Sequence, residues 1–78
     1  MKVGTCLKKV AKKTREEDLW FRPMSAKGQG WAFALDSYGY IVIAPAPRGG
    51  NNWGMVHFST LVQDWEIVTP DQVLAERA

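Results

Sequence analysis

Two loops carry the residues best suited to hold a ligand. Arg48-Gly49-Gly50-Asn51-Asn52-Trp53 sets a guanidinium, two glycines, two amides and an indole side by side. Lys27-Gly28-Gln29-Gly30-Trp31 repeats the mixture with an ammonium group. A nucleotide needs such a set: a flat ring to stack on its base, a cation for its phosphate, and amides for its polar edge. Trp31, Arg48, Asn51, Asn52 and Trp53 are therefore candidate ligand-binding residues. The plainer alternative puts both indoles in a core or an interface and leaves the loops as connectors. The shared composition of the two loops tips the reading towards a site.

Reactive machinery is sparse. The chain has one histidine, His57, and one cysteine, Cys6, and neither has a nucleophile or base at motif spacing. Cys6 falls on the apolar side of an expected helix, as a small core residue does. Lys27 to Gly30 lacks the strand-to-helix setting of a phosphate loop. A binding protein without catalytic residues, metal or cofactor is expected.

Length bounds the rest. Seventy-eight residues make one domain, 1–78. A core of this size supplies only ~3–5 kcal/mol unaided. Four tryptophans, each burying on the order of 150–250 Å², are more than it hides easily. A second copy of the chain or a ligand is expected to cover the surplus, which points to a homo-oligomer. No run approaches the ~20 apolar residues that span a bilayer, so no membrane partner is expected. With no apolar signal core after the first lysines, and a single thiol, a cytoplasmic setting follows. The net charge of +2 conceals a basic start: Lys2, Lys8, Lys9, Lys12, Lys13 and Arg15 precede any acid. Such a stripe attracts phosphates, or else is simply a solvated helix face.

The elements that must position these groups follow from periodicity. Cys6, Leu7, Val10 and Ala11 predict an amphipathic helix from Thr5, a good N-cap, to about Lys13. Leu19 to Arg22 reads as a strand stopped by Pro23 and lying near a sheet edge. Trp31, Phe33 and Leu35 alternate with small residues, Asp36-Ser37-Tyr38-Gly39 supplies a turn, and Tyr40 to Ala44 returns, which predicts a hairpin. Trp53 to Val56 offers either a further strand or the return from the Arg48 to Asn52 loop. His57 to Gln63 predicts a helical turn capped by Ser59, with Leu61 and Val62 inward. Trp65 to Val68 predicts a strand, and Thr69-Pro70-Asp71-Gln72 restarts a helix with a capping box, Val73 and Leu74 facing in. The fold class is α+β: an antiparallel sheet of about four strands on one amphipathic N-terminal helix, with a short C-terminal helix.

The order of these parts resembles a known family. Val3-Gly4-Thr5-Cys6-Leu7-Lys8-Lys9, Phe21-Arg22-Pro23, Gly30-Trp31 and Leu61-Val62-Gln63-Asp64-Trp65-Glu66-Ile67-Val68 are similar to parts of the small phage proteins of the second Thoeris anti-defence type. The resemblance spans roughly residues 2 to 70 and is most specific at Asp64 to Val68. Here Pro23-Met24-Ser25 follows Arg22, where that family usually has a tryptophan a few residues on. The resemblance implies a non-enzymatic sponge that sequesters a cyclic nucleotide immune signal, either a glyco-cyclic ADP-ribose or a cyclic dinucleotide. It also implies a homo-tetramer, and pocket positions at Arg22, Trp31, Asp64 and Trp65. A single-stranded nucleic-acid binder and a protein inhibitor of a host enzyme are the alternatives.

Overall fold

The computed structural model describes residues 1–12, 18–45 and 56–77. Their order is α1 (Val3–Ala11), β1 (Trp20–Pro23), a 3-10 turn (Met24–Ala26), β2 (Ala32–Leu35), β3 (Ile41–Ala44), α2 (Phe58–Leu61), β4 (Trp65–Val68) and α3 (Pro70–Glu76). The four strands form one antiparallel sheet in the order β3-β2-β1-β4. The expected α+β architecture is the one observed.

Strand alternation explains both layers. Phe21 is paired with Phe33 and with Ile67, so these three share one face of the sheet. Phe21, Phe33 and Trp65 enclose a core there with Cys6 and Val10 of α1, and Val3 and Leu7 pack at its margin. The three rings lie 5.8 to 6.1 Å apart in tilted pairs. The opposite face carries Trp20, Ala32 and Val68, covered by Val73 of α3. Ala32 is small enough to let α3 come down on the sheet.

β1 is central rather than at an edge, because it bonds to both β2 and β4. The hydrogen-bond phase shows how it tolerates Pro23. Met24 N–H donates to Asp64 O, so the even residues of β1 face β4 and the odd ones face β2. The missing N–H of Pro23 therefore points at β2 beyond the single Phe21–Phe33 pairing, where no ladder bond is needed.

Several local expectations hold. Asp36 O accepts from Gly39 N–H, and its carboxylate accepts from Tyr38 and Tyr40 N–H, both at 2.9 Å, with Gly39 at φ 87°. Thr69 and Gln72 form the reciprocal capping box, with Pro70 at the start of α3. Other expectations are corrected. α1 begins three residues early, its N-cap is Lys2 rather than Thr5, and Ala11 is exposed because the inward stripe is Val3, Cys6, Leu7 and Val10. His57, not Ser59, caps α2 by accepting from Ser59 N–H at 3.2 Å. Val62 (78% exposed) and Leu74 (50%) face outward, because α2 and α3 are too short to bury a second apolar column. The expected strand over 53–56 lies outside the described residues except for Val56, which packs on the core.

Candidate functional site

Trp65 brings the two ends of the chain together. Its main-chain N–H donates to Met1 O at 2.6 Å, and its carbonyl accepts from Met1 N at 2.9 Å. Its indole N–H donates to Thr60 O of α2 at 3.0 Å. One fully buried residue therefore fixes the start of α1 and the last turn of α2 on either side of β4. Between them lies a recess of about 640 Å³ lined by Lys2, Val3, Gly4, Thr5 and Lys8 on one wall and Leu61, Val62, Gln63 and Asp64 on the other.

The α1 wall suits an anion. No side chain caps the helix, and its first turn holds no acid. The first helical bond is Cys6 N–H to Lys2 O, so the N–H groups of Val3, Gly4 and Thr5 have no partner among the described residues. A Cβ added at Gly4 would meet nothing within 4 Å, so the backbone there is open to close approach. Neither Lys2 nor Lys8 makes an ion pair among the described residues. Open helix N–H groups, their partial positive charge and two ammonium groups form an anion-binding wall. Asp64 and Gln63, opposite, can accept from hydroxyl or base N–H groups.

The sequence-predicted residues are distributed unevenly. Asp64 lines the recess, its main chain held by Met24 N–H at 2.9 Å. Trp65 lies in the core and positions both walls without lining them. Trp31 is half-buried and stands edge-on to Phe33 at 5.2 Å, away from the recess. Arg48, Asn51, Asn52 and Trp53 lie outside the described residues. Lys2, Thr5 and Lys8 were legible only as part of a basic helix. Their role depends on Met1 pairing with Trp65, a contact that local spacing does not reveal.

Arg22 lies on the opposite face and is buried. Its Nε donates to Glu66 at 2.8 Å, and Nη1 and Nη2 grip both oxygens of Glu76 at 2.6 and 2.7 Å. Glu66 is its cross-strand neighbour and Glu76 comes down from α3. Gly30 N–H also donates to Glu76 at 3.0 Å. Gly30 is at φ 80°, a conformation that glycine adopts without strain. The hydrogen bonds to Arg22, helped by Gly30, hold the Glu76 carboxyl down to about 2, against the cost of its burial. Glu76 and Glu66 in turn raise the affinity of the guanidinium for its proton, again against burial. With every guanidinium nitrogen bonded, Arg22 ties α3 to the sheet and offers no free fork to a phosphate.

Cys6 is buried in the α1 core, and burial pushes its thiol pKa up, the reverse of what activates a nucleophile. Among the described residues, no three His, Cys, Asp or Glu side chains cluster where a metal could sit, and no helix is long and apolar enough to cross a membrane. The fold and recess thus define a small α+β protein with a cationic cleft. No protein family, curated protein or solved structure matches the chain.

Proposed function

We propose that this chain is a phage anti-defence protein that holds a cyclic nucleotide immune signal and keeps it from its receptor without cleaving it. The observation that carries the reading is the uncapped start of α1, opening with Lys2 and Lys8 into the recess. Its volume falls within the ~300–1,000 Å³ usual for small-ligand sites. A phosphate on the α1 wall would meet N–H groups and ammonium groups together, while Asp64 and Gln63 meet a ribose hydroxyl or a base edge. The glyco-cyclic ADP-ribose or cyclic dinucleotide class comes from the resemblance of the Asp64 to Val68 segment and of the opening helix. In this reading the protein acts as a homo-oligomer in the cytoplasm of an infected cell, and Arg48, Asn51, Asn52 and Trp53 add a second set of ligand contacts.

A thermal-shift series with cyclic dinucleotides and cyclic ADP-ribose isomers tests it. Binding raises Tm with ligand concentration, and the nucleotide is recovered chemically intact. No shift with any of them, or recovery of a cleaved product, removes the proposal. Single-stranded nucleic-acid binding is a second reading, favoured by exposed Lys8 and Lys9 on α1 and Lys12 at its C-cap. It requires affinity that grows with polymer length and falls steeply with salt.

A further inference from the structure

The sheet has two edges, and they are finished differently. On β4 the outward main-chain groups of Trp65 are taken by Met1, and Thr69 N–H just beyond is taken by Gln72. That leaves Ile67 alone between two occupied positions. On β3 the phase is set by Asp36 N–H donating to Tyr40 O, so Val42 and Ala44 face β2 while Ile41 and Ile43 face outward. Among the described residues, nothing accepts from or donates to the outward groups of Ile41 and Ile43. No charge or proline interrupts Tyr40-Ile41-Val42-Ile43-Ala44, although such residues commonly protect an open edge.

We propose that the β3 edge pairs with the β3 edge of a second copy of this chain, antiparallel about a two-fold axis at Val42. The inference is independent of the nucleotide reading. In this register Ile41 of one copy lies opposite Ile43 of the other, and these are the residues whose main-chain groups are open. Each pair exchanges both bonds, and the two-fold axis repeats the exchange. A shift by one residue would place open groups against groups already bonded to β2, so the phase restricts the pairing. Side chains also match. Isoleucine meets isoleucine on the α1 face and valine meets valine on the other, both favourable cross-strand pairs. Tyr40, 60% exposed, falls opposite the small Ala44. The segment is uncharged, so two chains of net charge +2 meet where no like charges are directly opposed. Because the β4 edges are blocked, the assembly closes at this interface instead of extending into a filament.

Sedimentation from micromolar to submillimolar concentration, with amide exchange read at both ends, tests the pairing. The wild-type chain sediments at twice the mass of one chain at the upper end, and its Ile41 and Ile43 amides are protected there and exchange fast on dilution. Val42→Lys sets two ammonium groups against each other across the axis and halves that mass. A wild-type chain that stays single throughout overturns the proposal, as does a folded Val42→Lys of unchanged mass. Should Val42→Lys fail to fold, the wild-type amides decide: exchange at Ile41 and Ile43 that is independent of concentration also overturns it.

Discussion

Phe21 and Arg22 are neighbours on the central strand and face opposite sides of the sheet, and each side solves burial differently. Phe21 enters an aromatic core with Phe33 and Trp65, held by contact area and needing no directed partner. Arg22 is as deeply buried, but its desolvation is tolerable only because Glu66 and Glu76 meet each nitrogen. The rings of the aromatic face stabilise without carrying a titratable group. The ionic face adds less net stability but fixes where α3 lies, and it titrates. The aromatic side reaches the recess through Val3 and Leu61, which pack on its core and line that recess.

The comparison is broken most severely on the aromatic side. Phe21→Ala removes a ring at the centre of the core, at a cost of about 3–5 kcal/mol. In a domain this small that is most of the stability, so urea titration should find the variant largely unfolded without denaturant. On the ionic side the outcome depends on what is left behind. Arg22→Ala strands two carboxylates and costs about 3–5 kcal/mol, whereas Arg22→Met with Glu66→Leu and Glu76→Leu exchanges the network for apolar packing and is close to neutral. A triple variant as unstable as Arg22→Ala would show that the ions contribute more than they cost.

The smallest effect concerns pH. Glu76 is held to about 2, below its ordinary 4.5, so its ionised form favours the fold. That contribution is complete above about pH 4.5 and is lost as pH falls towards 2. Thermal melts of Glu76→Gln should therefore show a lower Tm than wild type at neutral pH and a shallower decline across that acid window. Parallel acid limbs in the two proteins would assign the titration to another group.

What the sequence revealed follows the range of the interactions. The capping box at Thr69 and the Asp36–Gly39 turn are made within four residues, so residue types alone expose them. The alternation of Trp31, Phe33 and Leu35 gave the hairpin for the same reason. Pro23 misled because its local rule, a proline near a sheet edge, depends on which way the absent N–H points, and only the pairing of Met24 with Asp64 fixes that. Arg22 was a pocket position through the resemblance alone, and its two carboxylates lie 44 and 54 residues away, beyond the reach of local spacing. The recess was hidden in the same manner, since its walls come from opposite ends of the chain. Among the described residues, Asp64 was the one expected position that lines it.

The most direct test of the recess is a calorimetric titration of a cyclic dinucleotide and a cyclic ADP-ribose into the wild-type chain and into Lys2→Ala/Lys8→Ala. Both lysines are exposed and unpaired among the described residues, so the double variant should keep the wild-type Tm. Losing two charge-assisted contacts of about 1.5 kcal/mol each should weaken saturable binding by roughly a hundredfold. Undiminished binding by a double variant with unchanged Tm would place the ligand elsewhere and contradict the account.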